Sequence, residues 1–475
     1  MKREQLKKSL PEVDPSIDDP FADDKFGRRQ YADVFCSIFS AYTDRGSVIA
    51  LNAPWGTGKT TFVKMLKNHI SQNGFRPLYF NAWENDFEED PLIPLIGEMA
   101  ELFPKSNVQF QNVLLKGSKL FAAILPSLLN SILKKTTGVD GNEIVSELTE
   151  ESASMLKKEI DEYNETKRSI TEFKEALTDY VVAKDSNDAA MPVVFFIDEL
   201  DRCNPKYAVR VLERIKHLFN VPNVIFVLSI DKQQLSYAIQ GYYGSSKIDS
   251  DNYLRRFIDV ELTLPEVDSK VLCDYLLSNY GYSDFFNDSQ RINRSTFHND
   301  FDTFKRLSEY LISGSGKDIR SIDKIFAHTR LALISAAHNT YIVPDVFVFV
   351  CYLRLSFPDI YTRIRNNEYS PVDLLSALDE CLPKQLFTNS NKYGNDSDCI
   401  IYTIGKLLYM YLLNNNTYTT QELEGVQNTT INLKYIDFDS FIEAFKTIIS
   451  YHHNFDFGLC HIIDRIEIQN VIIPN

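Results

Sequence analysis

The stretch "ALNAPWGTGKTTFVKML", Ala50 to Leu66, changes its hydrophobic period in the middle. Ahead of it "SVIALN" (Ser47 to Asn52) is a short apolar run that feeds a glycine-bearing loop. Beyond the loop Phe62, Met65, Leu66 and Ile70 recur at helical spacing. A strand, a tight loop and a helix in that order aim backbone N–H groups and a helix N-terminus at one point, as a phosphate group requires. Gly56 and Gly58 supply the open backbone, Lys59 a point charge for the β- and γ-phosphates, and Thr60 a hydroxyl for a magnesium shell. Pro54, Trp55, Thr57 and Thr61 complete the candidate nucleotide-binding loop. The usual spacing, G-x-x-x-x-G-K-[ST], has Ala53 in place of its first glycine, which is acceptable where φ is negative.

Working outward, "RPLYFNAW" (Arg76 to Trp83) reads as a second strand, and a mostly helical insertion fills about 90–188. Three further strands follow: "VVFFID" (Val193 to Asp198), "NVIFVLSID" (Asn223 to Asp231) and "FIDVELTLP" (Phe257 to Pro265). Asn204 and Pro205 open a helix as N-cap and first helical residue. Upstream, "RRQYADVFCSIFSAYTD" predicts a helix with Tyr31, Val34, Phe35, Ile38 and Phe39 on one face. Strands alternating with helices predict an α/β fold with a parallel central sheet, a helical insertion after the second strand and an all-α C-terminal region. The expected divisions are an extended lead-in over 1–25, a core over 26–265, a helical lid over 266–335 and a helical domain over 336–475.

The chemistry expected at the loop needs acids as well as a cradle. In "VVFFIDELDR" an apolar strand delivers Asp198 to its carboxyl end, beside the loop, where it is suited to hold magnesium. Glu199 is the natural base for an attacking water, and Asp201 reads as turn punctuation. Ser229 is placed to sense the γ-phosphate, while Asp231 is open to capping the next helix instead. Arg255 and Arg256, or Arg320 at the start of a later helix, are candidates for a positive charge on the γ-phosphate, in cis or in trans.

Composition bounds the alternatives. The chain has 475 residues, 44% of them hydrophobic and 24% charged, as in a globular protein of two or three units. A net charge of -15 disfavours broad capture of nucleic acid. Seven scattered cysteines without a C-x-x-C pair read as thiols of a reducing cytoplasm, and the N-terminus has no apolar core of a secretory signal. "LFAAILPSLLNSIL" (Leu120 to Leu133) is shorter than the roughly 20 apolar residues of a membrane span and reads as a buried or partner-facing helix, with a membrane-surface helix as the alternative. The eight histidines show no ligand spacing beyond the adjacent His452 and His453.

Together "APWGTGKTTF", "YFNAWEND", "VVFFIDELDRCNPKYAVRVLERIKHLFNVPNVIFVLSIDKQQL" and "YLRRF…LTLP" resemble the KAP family of P-loop NTPases, over roughly residues 25 to 335. The resemblance implies ATP and Mg2+ as ligands and a lead-in, "DKFGRRQYAD" with Phe26 and Arg28, packed near the adenine. It marks Trp55 and Trp83 as family features. It also implies an ATP-hydrolysing switch or assembly module, associated in bacteria with anti-phage defence and a neighbouring effector protein. "LRRFIDVELTLP" followed by "DIRSIDKI" is similar to AAA+ proteins, in which the first arginine lies at a subunit interface. That similarity implies nucleotide-linked homo-oligomers. An ATP-dependent scaffold with little turnover and a nucleic-acid-dependent remodeller are the competing readings.

Overall fold

A computed structural model describes residues 14–42, 46–100, 108–120, 150–182, 192–313, 315–334, 340–383, 396–414, 433–451 and 457–467. The chain divides into two compact units, Val13–Pro265 and a second from Glu266 to Asn475.

The first unit is built on five parallel strands: β1 (Ser47–Asn52), β2 (Arg76–Asn81), β3 (Val193–Asp198), β4 (Val224–Ile230) and β5 (Val260–Thr263). Their order is β2-β3-β4-β1-β5. Every residue of β3 and β4 is buried, as expected of central strands covered on both faces. The edge strand β5 alternates instead between partly buried and exposed residues. Side chains alternate between the sheet's two faces along each strand. Val194, Phe196, Ile225 and Val227 join one core with helices α1 (Arg29–Ala41) and α2 (Lys59–Gln72). Phe195, Ile197, Phe226 and Leu228 join the other, with α3 (Leu92–Met99), the helical residues 108–120, α5 (Glu150–Val182) and α6 (Pro205–Leu218). The Phe195 and Phe226 rings stack across neighbouring strands, centroids 5.3 Å apart.

One expectation needs correction. Val34 is 53% exposed, and the stripe that α1 buries is Ala32, Phe35 and Phe39, an i, i+3, i+7 set narrower than the apolar content of the helix. In the sheet itself, β4 pairs with both β1 and β3 and lies between them. Between β2 and β3 the described elements are helices, while Leu120–Leu133 from residue 121 onward, like His452 and His453, lies outside the described residues. Among those described, no helix is long and apolar enough to cross a membrane.

The second unit is helical. Its centre is α14 (Pro344–Ser356), buried on nearly all sides, against which α12 (Asp300–Ile312) and α13 (Ile319–Ile334) pack. Helices from both sides of residue 335 therefore share one core. Two buried ion pairs lie here: Arg291 with Asp300, and Asp345 with the partly buried Lys406. The Asp379 carboxylate accepts bonds from the backbone N–H groups of Lys434, Tyr435 and Ile436.

Candidate functional site

The carboxyl end of the parallel sheet gathers the polar residues that terminate its strands. In register, Asn81 of β2, Asp198 of β3 and Ser229 of β4 stand in one row, which continues to Leu51 of β1. Alternation turns Asp198 and Ser229 toward the face that carries α2, since Val194, Phe196, Ile225 and Val227 lie in that core. This is where ligands bind in open α/β sheets.

The loop at this end has the backbone an anion site needs. Gly56 and Gly58 have φ of 77° and 83°, which a side chain would strain. No side chain caps the N-terminus of α2, and its first turn holds no acidic residue, so its free N–H groups and dipole face outward uncompensated. Ala53 is not among the residues with positive φ; its N–H donates to the Ile230 carbonyl at 3.1 Å, and its methyl group is buried with Phe62 and Val63. The substitution for glycine is thus a packed position. The Lys59 ammonium donates to the carbonyls of Ala53 and Pro54, and burial pulls its pKa down against the nearby carboxylates of Asp201, Asp231 and Asp198. Thr57 Oγ1 donates to the Pro54 carbonyl at 2.9 Å, while Thr60 and Thr61, in the first turn of α2, are partly exposed.

Arg28 reaches the loop from the lead-in. Its guanidinium donates to the carbonyls of Thr57 (2.9 Å) and Gly58 (3.3 Å) and lies 5.5 Å from the Phe26 ring centroid. Burial lowers its pKa to about 10. A Cβ on Gly58 would stand 3.1 Å from this guanidinium, a second reason for glycine there.

Around the acids, Asp198 is 1% exposed and accepts from the Tyr79 hydroxyl (3.1 Å) and the Glu199 N–H (3.0 Å). Glu199 has φ of 60°, a left-handed conformation uncommon for a non-glycine residue and the kind of strain that collects at functional sites. One of its carboxylate oxygens pairs with Arg202 at 2.7 Å and the other accepts from Asn81 Nδ2 at 3.3 Å. Burial pushes the Glu199 carboxyl up, and Arg202 works against that. The Ser229 hydroxyl is fully buried and makes no hydrogen bond among the described residues, so a donor and acceptor remains available in the row beside Asp198. Asp231 caps α7 (Lys232–Tyr243) through the N–H groups of Gln233 and Gln234, which answers the alternative left open for it.

Asp198 and the Thr60 hydroxyl fit a magnesium ion, which uses one or two carboxylates together with substrate phosphates. No cluster of three or more His, Cys, Asp or Glu suited to a separate metal centre occurs among the described residues.

The arginines named as candidate phosphate contacts are distributed differently. Arg255 and Arg256 are exposed and precede β5, which runs parallel to β1, so they lie at the amino end of the sheet. Six residues of strand, roughly 20 Å, separate that end from the loop, so neither arginine serves its own chain's phosphate site. Arg320 belongs to the second unit and is exposed in the first turn of α13.

Three residues of the site escape motif reading. Asp201 is more than turn punctuation: it accepts from Trp55 Nε1 in the loop and from the Asp231 N–H (3.0 Å), tying the loop to the end of β4. Asn81 holds Glu199 from β2. Arg202 pairs with Glu199 and lies 5.7 Å from the Trp83 ring centroid. Asn81 had a legible signal, a polar residue closing an apolar parallel strand; the partners of Asp201 and Arg202 had none.

The KAP family P-loop domain matches residues 28–329. No curated protein matches the chain in sequence. Among solved structures, the chain is similar to the Aeropyrum pernix ORC2 protein in its ADPNP–ADP complexes, at 15% identity and a TM-score of 0.33 over 89% of this chain and 94% of that one. It is also similar to Drosophila ORC bound to DNA, at 12% identity and a TM-score of 0.28 over 94% and 86%. Likenesses of that size carry no argument about ligand or partner.

Proposed function

The chain belongs to the KAP family of P-loop NTPases, and from that premise we propose that it is a magnesium-dependent ATPase acting as a nucleotide-driven switch or assembly module. One observation carries the reading: the uncapped N-terminus of α2 with Lys59 shares one end of the sheet with Asp198, Glu199 and a Ser229 hydroxyl that has no partner among the described residues. In this reading the loop N–H groups and Lys59 hold the phosphates. Thr60 and Asp198 hold the magnesium ion, whose charge neutralises the phosphate oxygens. Glu199 takes the proton of the attacking water, and Ser229 donates to the γ-phosphate or that water. Arg28 and Phe26 stiffen the loop from behind and border the nucleotide.

Lys59→Ala is expected to abolish turnover and to weaken ATP binding by at least tenfold, the worth of one charge-assisted hydrogen bond. Titration with a fluorescent ATP analogue and a phosphate-release assay read the two effects. Undetectable turnover in the wild type with every activator tried would sink the enzymatic part. The held Glu199 carboxylate favours a second reading, a scaffold that binds ATP, assembles and turns over slowly.

Arg255 and Arg256, whose side chains are exposed and cannot reach their own loop, suit a trans contact to the γ-phosphate of a second copy. Mass photometry with and without ATP is then expected to show an ATP-dependent oligomer, with turnover per chain rising with concentration. The Arg255→Ala/Arg256→Ala variant is expected to lose that turnover by about 10³-fold or more. Mass distributions identical in all conditions argue against a trans finger. Anti-phage defence with a separate effector, in the cytoplasm, completes the proposal and rests on the family resemblance; the free thiols of the described cysteines accord with a reducing compartment. Stimulation of hydrolysis by DNA or RNA would favour a remodeller instead.

A further inference from the structure

Arg202 is a cation at this site that the reading above leaves without a role. It closes the 3₁₀ turn Leu200–Arg202, which begins directly after Glu199, and this brings its Nη1 back onto Glu199 Oε1 at 2.7 Å. Its side chain is 24% exposed and that of Glu199 15%, so the pair is sheltered from solvent without being sealed. The remaining hold on Glu199, from Asn81 at 3.3 Å, is longer and uncharged on the donor side. Arg202 is therefore the stronger restraint on this carboxylate. The Trp83 ring lies 5.7 Å from the guanidinium and is itself 51% exposed, so the wall beside Arg202 on that side is not part of the packed core. The same turn touches the phosphate loop: Asp201, the residue before Arg202, accepts from Trp55 Nε1.

A guanidinium at such a point has two anions to choose from. It binds carboxylate and phosphate with the same planar fork, and a triphosphate terminus carries more charge than a carboxylate. We propose that Arg202 exchanges anions, leaving the Glu199 carboxylate for the terminal phosphate of a bound nucleoside triphosphate. Glu199 is then released to face the attacking water only when a triphosphate is present. With a diphosphate the 2.7 Å pair persists and the base stays held. The inference rests on the nucleotide-site reading above, but its consequence is a binding preference that can be measured without turnover.

Because Glu199 and the terminal phosphate compete for one cation, two residues three apart must shift that preference in opposite directions. The full-length chain is titrated with ADP and with the β,γ-imido analogue of ATP, both with magnesium, by isothermal calorimetry. The quantity read is the ratio of the two dissociation constants. Arg202→Ala is expected to reduce the preference for the triphosphate analogue on the order of tenfold, as one charge-assisted hydrogen bond is lost. Arg202→Lys restores part of it. Glu199→Gln, which frees Arg202 of its competitor, raises the preference by several-fold. The double variant behaves as Arg202→Ala alone. Thermal melts of each variant establish that it is folded. An Arg202→Ala variant whose two affinities change equally, or not at all, would overturn the proposal and leave Arg202 a bond of the turn. A Glu199→Gln variant with reduced preference would overturn it too. If the wild type binds neither nucleotide, the nucleotide-site reading itself has failed, and that outcome is distinct from both.

Discussion

Glu199→Gln is expected to lower ATP turnover by about 10²–10⁴-fold, the range for loss of a positioned general base, while nucleotide is still bound. The substitution keeps the shape of the side chain and an oxygen that can accept from Arg202 and Asn81, so the turn that presents it survives. What it removes is the negative charge that takes a proton. Burial has already pushed the Glu199 carboxyl above its ordinary range, which brings its basicity closer to that needed near neutral pH, and Arg202 restrains that rise. The left-handed backbone at Glu199 keeps this acid at the strand end, between Asp198 in the sheet and the turn that carries Arg202. Phosphate release measured beside analogue binding separates the two effects. Turnover within about threefold of wild type would mean that Glu199 is not the base.

In the second unit, Asp300→Ala is expected to destabilise the fold by about 3–5 kcal/mol, the cost of leaving a buried charge without its partner. Arg291 has no exposed surface, and its guanidinium lies 4.7, 4.9 and 5.7 Å from the ring centroids of Phe297, Phe285 and Phe286. It donates to the Thr340 carbonyl at 2.9 Å and pairs with Asp300. Arginine cannot discharge itself as a buried lysine does, so removal of the carboxylate strands a full positive charge among aromatic rings. Burial pushes the Asp300 carboxyl up to about 6 despite Arg291, so the pair is ionised at pH 7.5, where the melt should be recorded. Replacing both members, as Arg291→Met/Asp300→Leu, is expected to cost less than Asp300→Ala alone, since no unpaired charge remains. Unfolding in urea reads both differences. A single variant as stable as wild type would mean that other groups or water carry the Arg291 charge.

How much of this was legible beforehand follows from the range of each interaction. The loop, its flanking strand and helix, and the acid pair at the end of "VVFFID" are contiguous, so period and residue type revealed them. The cap at Asn204 was legible for the same reason: its side chain accepts from Lys206 N, two residues along. Val34 was misread because apolar content is not a direction; only the packed sheet decides which part of a wide apolar face is covered.

The sequence by itself determined the elements and the chemistry within reach of each: five apolar strand runs, a phosphate loop, and acids at a strand terminus. Tertiary structure alone decided the strand order, and with it the meaning of the arginines. Insertion of β4 between β1 and β3 puts the Ser229 hydroxyl in register with Asp198. Parallel pairing of β1 with β5 sends Arg255 and Arg256 to the end away from the loop. Arg202, three residues from the base, could have pointed at solvent; the 3₁₀ turn brings it back onto Glu199, with the Trp83 ring alongside. Local period is written in neighbouring residues, whereas strand order is settled by pairing between segments well separated along the chain. A charge can be read from one letter, but the anion it faces depends on the whole sheet.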